Sequence, residues 1–395
     1  MVDRLSLVTI PGMGAVSAAG LDTGATLASF RAELRHPGKL TLFESPIDCP
    51  VFEAVGFQAA QPYADGVRTI ELAIHALQEA LAEARLDAGA LGSMRVGICL
   101  GTTVASQLND LEFYRRFKET GTASLPPVRR YLKGNLADAV AAHLGIQALT
   151  LTVTNACSSG ADAIAIGAQW MEAGLCEIVI AGGADELSRI PYSGFNALGL
   201  ACKFPCTPFD RNRQGLNLGE GAGILILESP ASANARGFSP RLVLQGYGSA
   251  CDAHHLTAPH PDGIGLKSAL SRVLSHARIP PGEVAFVNAH GTGTVDNDLI
   301  EGNALAAIFG SKMSILSTKG FTGHTLGAAG GLEAVFTGLG LREGWLPPSI
   351  GFQEQDERIP VTPLRVRTEV TGRFAVSTSL AFGGNNTALL FGLNL

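Results

Sequence analysis

Asn155-Ala156-Cys157-Ser158-Ser159-Gly160 stands where an apolar, β-rich run from Leu149 to Val153 gives way to a small-residue helical run from Gly160 to Met171. A cysteine at such a strand-to-helix turn lies at a helix N-terminus, where unpaired backbone N–H groups and the macrodipole favour an anion and lower a thiol pKa. A lone free cysteine is more often a small buried hydrophobe. What separates the two readings is company. His290 stands in Asn288-Ala289-His290-Gly291-Thr292-Gly293-Thr294, directly after the apolar strand Val284 to Val287, and His324 closes Ser317-Thr318-Lys319-Gly320-Phe321-Thr322-Gly323-His324. Each histidine follows a strand and is flanked by glycines that let a backbone come close to a ligand. One cysteine and two loop histidines make a site suited to thiol-acyl chemistry.

The flanking chain sets this turn in an alternation of strand and helix. Leu5 to Ile10 reads as a short strand, Thr23 to Leu34 as a helix, and Arg68 to Arg85 carries Ile70, Leu72, Ala73, Ala76, Leu77, Ala80 and Leu81 at helical spacing. Arg95 to Leu100 is a continuous apolar strand. The segment from about 104 to 146 is irregular, broken by Pro126-Pro127, and reads as an insertion covering the site. After the cysteine helix come a strand at Glu177 to Ala181, a turn at Gly182-Gly183-Ala184, a helical stretch from Tyr192 to Leu200 and a strand at Gly223 to Glu228. The second half repeats the theme, with strands at Leu242 to Ser249, Val284 to Val287 and Ser314 to Ser317, helices at Gly265 to Ala277, Asp296 to Phe309 and Ala328 to Leu341, and two terminal strands around Phe382-Gly383-Gly384-Asn385. This order predicts sheets covered by helices, with functional loops at the carboxyl ends of strands. Cys157, His290, His324 and the Phe382 loop then share one region.

With 46% hydrophobic and only 16% charged residues among 395, the chain buries a large core, and its 48 glycines mark tight turns and close packings. No apolar run reaches the roughly 18–20 residues of a membrane span, and Met1-Val2-Asp3-Arg4 opens no secretory signal, so the expected location is the cytoplasm. Seven cysteines lack the spacing of a disulfide framework, and Cys202 and Cys206 have no histidine or second pair to complete a zinc site. A net charge of −6 argues against a general nucleic-acid binder.

Together with Thr207-Pro208-Phe209-Asp210-Arg211 and Gly219-Glu220-Gly221-Ala222-Gly223, these motifs resemble the β-ketoacyl-acyl carrier protein synthases of the elongating type, within the thiolase-like superfamily, along essentially the whole chain. The resemblance implies an α/β, five-layered αβαβα fold of two duplicated halves: residues 1–240 with the nucleophile and the cap insertion, and 241–395 with both histidines. It implies decarboxylative Claisen condensation, in which Cys157 stores the acyl group while malonyl-acyl carrier protein loses carbon dioxide and its enolate attacks. His290 and His324, as neutral imidazoles, would hold the developing enolate oxygen. Lys319 matches a lysine that tunes the histidine, and Glu301 a buried acid that organises this lysine and its loop. Thr292 and Thr294 match hydroxyls on the phosphopantetheine arm, which arrives on the carrier and is not permanently bound. The backbone N–H groups of Cys157 and Phe382 match the oxyanion hole. Asn288, Glu333 and Ser377 match positions around a structural monovalent cation in some relatives. The implied partners are acyl- and malonyl-loaded carrier protein and a second subunit, in a homodimer or in a heterodimer with a related chain.

Departures from the family pattern bear on substrate. Leu380-Ala381-Phe382 stands where Phe-Gly-Phe is common, so one gating aromatic at Leu380 is lost and a hinge glycine gains a methyl; Gln214, Leu216 and Thr378 replace aspartate, phenylalanine and asparagine. These changes favour a specialised elongating synthase, such as one making polyene or other polyketide-like chains, over ordinary fatty-acid housekeeping. A non-catalytic chain-length-factor-like partner subunit is the alternative, and the presence of Cys157 counts against it. Between Phe57 and Ala84 the only basic residue is Arg68, so Arg129, Arg130 and Lys133 form the candidate carrier-docking patch, with Arg211 and Arg213 beyond the cysteine half.

Overall fold

The computed structural model describes residues 8–59, 67–103, 111–126 and 135–394. Its strands are β1 (Val8–Ser17), β2 (Val96–Gly101), β3 (Leu149–Val153), β4 (Ile178–Asp185), β5 (Gly221–Glu228), β6 (Leu242–Cys251), β7 (Val284–Asn288), β8 (Ser314–Leu316), β9 (Trp345–Leu346), β10 (Thr368–Glu369), β11 (Phe374–Ala381) and β12 (Asn385–Leu393). Ten of them run in one hydrogen-bonded order, β3-β2-β4-β5-β1-β6-β12-β11-β7-β8, while β9 and β10 form a separate ribbon. From the β1/β6 seam outward, both sides give the same sequence of pairings, two antiparallel and then two parallel. The seam itself is short, Val8 to Ile10 against Leu242 to Leu244. The duplication is thus written in hydrogen bonds.

Helices supply the other layers. Helix Arg68–Ala84, whose apolar stripe from Ile70 to Leu81 is buried, lies on the outer face of the first half-sheet beside helix Leu136–Leu144. Helix Ile264–Ala277 covers the outer face of the second, with helix Val295–Phe309 packed beside it. Between the half-sheets lie helices Ser159–Glu172 and Ala329–Glu343, touching each other and both halves. The second of these is buried from Ala329 to Leu341, as a helix without a polar face must be. A methyl on Gly160 would meet the Gly331 nitrogen and the Gly327 carbonyl at 2.7–2.8 Å, so this crossing depends on glycine.

Two strands run well past their expected ends. Gly182-Gly183-Ala184 is no turn; β4 runs through it to Asp185, and its glycines serve close packing, since a methyl on Gly183 would sit 2.4 Å from the Gly327 carbonyl. β1 likewise continues past Pro11-Gly12 through a register shift, with Gly12 and Gly14 lying against the backbone of helix Arg68–Ala84. Of the expected insertion, helices Leu111–Thr120 and Leu136–Leu144 are described, whereas Arg129, Arg130 and Lys133 lie outside the described residues. No described helix is long and apolar enough to cross a membrane.

Candidate active site

β3 ends at Val153, and Ala156-Cys157-Ser158 makes a single 3-10 turn before helix Ser159–Glu172. Ala156 has φ +50°, a left-handed conformation that costs a non-glycine residue on the order of 1–3 kcal/mol. The duplicate turn, Leu326-Gly327-Ala328 ahead of helix Ala329–Glu343, places Leu326 at φ +53°. The strain therefore belongs to the fold, and the first half uses it to present Cys157. Hydroxyls brace the turn: Ser159 Oγ and Thr103 Oγ1 donate to the Ala156 carbonyl at 2.6 and 3.2 Å, and the Asn155 N–H donates to Ser159 Oγ at 2.7 Å.

Cys157 is only 5% exposed, and the Phe382 backbone N–H lies near its sulfur. Burial pushes the thiol up to about 12, aided by Asp185 and Glu333 and opposed by Lys319 and the Phe382 N–H. The thiol is therefore raised and not depressed as expected from the helix terminus, because desolvation is the largest influence on the buried sulfur. At rest Cys157 is a thiol.

His290 and His324 meet edge to face with ring centroids 5.1 Å apart. Both are fully enclosed, and burial holds each well below the ordinary imidazole value, with the positive charge of Lys319 acting in the same direction. Both rings are neutral at pH 7. Their partners also assign the tautomer. Lys319 Nζ, which has only donors, lies 3.1 Å from His290 Nδ1, and the Leu326 N–H donates to His324 Nδ1 at 3.3 Å. Each Nδ1 accepts, so each Nε2 carries the proton and can donate to a developing oxyanion.

Lys319 Nζ also donates to the His290 carbonyl at 2.6 Å and to Glu333 Oε1. Its carboxylate partner is therefore Glu333 and not Glu301, a correction to the sequence expectation. Glu301 instead braces the histidine loop, accepting from the His290 and Gly291 N–H groups, each at 2.8 Å, and from Thr378 Oγ1 at 2.7 Å. Sequence spacing could not separate the two acids, since both lie on helices that reach the same loops. Burial pushes Glu333 up to about 7 despite the pull of Lys319.

An open channel leads to Cys157 past Thr292, Thr294, Leu380 and Phe382. Thr292 and Thr294 share a hydroxyl contact at 2.9 Å. Phe195, missed in the sequence, stacks on the Phe382 ring at 5.3 Å and also lines the channel, so an aromatic from another segment stands beside the loop in which Leu380 replaces the expected aromatic. Gly383 and Gly384, at φ +88° and +82°, make the turn beneath Phe382. Two of the basic residues considered for docking are engaged elsewhere: Arg213 is buried against Asp356 and Asp298, and Arg68 is paired with Glu220. Arg211 is exposed and paired with Glu354.

Asn288 and Ser377 face each other in the β7/β11 register, and Asn288 Nδ2 donates to the Glu333 carbonyl. Asn288 Oδ1 and Glu333 Oε2 are buried oxygens with no hydrogen-bond partner among the described residues. Two unmet oxygens, one of them on a carboxylate, fit a monovalent cation.

Two family models match, "Beta-ketoacyl synthase, N-terminal domain" over residues 48–233 and "Beta-ketoacyl synthase, C-terminal domain" over 242–353. The chain is 30% identical to 3-oxoacyl-[acyl-carrier-protein] synthase 2 of Staphylococcus aureus across 97% of each chain. Among solved structures it resembles the ishigamide ketosynthase/chain length factor, with a TM-score of 0.94, 31% identity and coverage of 99% of this chain and 100% of that one. It also resembles a ketosynthase in complex with its chain length factor from Xenorhabdus doucetiae, with a TM-score of 0.85, 29% identity and full coverage of both chains.

Proposed function

The chain belongs to the β-ketoacyl synthase family, and on that premise we propose that Cys157 carries the acyl group while His290 and His324 stabilise the enolate of the extending unit. The reaction class is a Claisen-type condensation on acyl carrier protein. In the first half-reaction Cys157 sulfur bonds to the acyl carbon of the carrier thioester. The tetrahedral oxyanion is held by the Cys157 and Phe382 N–H groups and collapses, breaking the bond to the carrier sulfur; the thiol proton leaves Cys157 as that bond forms and ends on the departing carrier thiol. In the second, the malonyl carboxylate departs as carbon dioxide and its bonding electrons move to the thioester oxygen, held by two Nε2–H donors. The enolate carbon then attacks the acyl-cysteine, and the cysteine sulfur leaves as a thiolate that takes up a proton from solvent.

The observation that carries this reading is the shared Nε2–H tautomer of two neutral, buried imidazoles beside a buried thiol. A cation at Asn288, Ser377 and Glu333 would supply fixed positive charge near Glu333. Phosphopantetheine would run along Thr292 and Thr294. The altered gate, with Leu380 and Ala381, supports a specialised elongating synthase working on polyketide-like or polyene chains, and the resemblance to ketosynthase and chain length factor assemblies supports a paired subunit. Cytoplasmic action belongs to the same reading, supported by seven cysteines that all remain free thiols.

Separating the half-reactions tests these roles. His290→Ala and His324→Ala should each slow malonyl-carrier decarboxylation by about 10²–10³-fold and leave acylation of Cys157 within a few-fold of wild type. Loss confined to acylation would remove the histidines from the enolate role.

A further inference from the structure

The proposed oxyanion hole draws one N–H from each duplicated half, Cys157 from the turn after β3 and Phe382 from the loop between β11 and β12. Hydrogen bonds within one element cannot fix their separation. A chain of side chains crosses this gap. Asn385 Nδ2, three residues beyond Phe382, donates to Asn155 Oδ1 at 2.6 Å, two residues before Cys157. Asn155 Nδ2 in turn donates to Asp162 Oδ2 at 2.6 Å, and Ser158 Oγ, next to the nucleophile, donates to the same oxygen at 2.8 Å. The other Asp162 oxygen accepts from Thr387 Oγ1 on β12. Asp162 is buried in the first turn of helix Ser159–Glu172, so its carboxylate ties the nucleophile turn to β12 twice, through Thr387 and through Asn155 and Asn385.

We infer that Asn155, Asp162 and Asn385 form a clamp that sets the spacing of the two oxyanion-hole donors across the boundary between the halves; they are positioning residues that touch no substrate. The inference rests on the reading of Cys157 and Phe382 given above. The clamp bears on the thioester oxygen at Cys157 and not on the imidazole pair, which Lys319, Leu326 and Glu301 hold independently. A donor displaced by as little as about 1 Å costs on the order of 10²-fold in rate. Loosening the clamp should therefore slow acylation selectively.

The test measures, for each variant, the rate of Cys157 acylation by an acyl-carrier as a function of its concentration, and malonyl-carrier decarboxylation without an acyl donor. Asn385→Ala should lower the maximal acylation rate about 10- to 100-fold, with little change in half-saturating carrier and decarboxylation within about two-fold. Asn155→Asp should do the same, because it sets a carboxylate against Asp162. The exchange Asn155→Asp with Asp162→Asn restores one carboxylate and one amide to the pair and should recover most of the lost rate, which a merely destabilising site would not. Undiminished acylation in Asn385→Ala and Asn155→Asp, equal loss of both half-reactions, or no recovery in the exchange variant would overturn the clamp. A wild-type enzyme that is never acylated on Cys157 would overturn the underlying reading, and the clamp with it.

Discussion

At the level of single residues, the chemistry turns on how burial redistributes protons. A thiol pushed up to about 12 is almost wholly protonated at neutral pH, so its thiolate fraction grows about tenfold per pH unit well past pH 9. Alkylation of Cys157 by iodoacetamide, followed by peptide mass, should rise steadily from pH 6 to pH 9.5; a plateau below pH 8 would show a depressed pKa instead. The buried Lys319–Glu333 pair offers a second check. Lys319→Met leaves Glu333 enclosed without its cation, which typically costs about 3–5 kcal/mol, and thermal or urea unfolding should report a loss of that size. Lys319→Met paired with Glu333→Gln should return part of it. Cys157 and both histidines were legible in the sequence as candidates because each sits in a strand-to-loop setting that few structural residues need. Glu333 was legible only as a cation ligand, because its hold on Lys319 depends on how helix Ala329–Glu343 packs against the Lys319 turn within the second half. Phe195, Asn155 and Asp162 gave no signal, because their partners Phe382, Asn385 and Thr387 come from the other half.

The elements show where sequence pattern is informative and where packing overrides it. The boundaries of β3 and of the helix after Cys157 were readable from the change in apolar period between Val153 and Gly160. Gly182-Gly183 was not, since glycines that admit a neighbouring backbone look the same in sequence as glycines that turn a chain. The loop around Phe382 is the element that the proposed gate reading makes most relevant to substrate. Phe382 precedes a Gly383-Gly384 turn at positive φ and stacks on Phe195, while Ala381 stands on its leading side. Leu380→Phe with Ala381→Gly should shift the preferred acyl-chain length, measured by product analysis over a panel of acyl-carriers, and leave the iodoacetamide reactivity of Cys157 within about two-fold. An unchanged length profile would mean that these positions do not select substrate.

For the whole molecule, two features follow from the way the half-sheets end and meet. β3 is a terminal strand of the ten-stranded order, with Leu149 and Leu151 45% and 39% exposed. An unprotected apolar edge strand invites pairing with another chain. Leu151→Lys should shift the sedimenting species towards monomer if this edge carries the subunit contact, and an intact dimer would place the contact elsewhere. The second feature is electrostatic. Burial pushes Glu186 up to about 7, so its contribution to stability is fully present below the unfolded carboxyl value and is lost as pH rises through about 7. Glu186→Gln keeps an acceptor for the Thr69 N–H and removes that titration. Its melting temperature relative to wild type should therefore rise between pH 5 and pH 8, and a constant difference would contradict the shift. The central claim, that this chain is itself a condensing enzyme acting through Cys157, is tested most directly by the intact mass of the protein after exposure to acyl-carrier and then to malonyl-carrier. One acyl group should be added at Cys157, absent in Cys157→Ala, then discharged as β-ketoacyl-carrier when malonyl-carrier is supplied. No acyl adduct in the wild-type protein, alone or paired with a related subunit, would contradict it and would fit a non-catalytic partner chain.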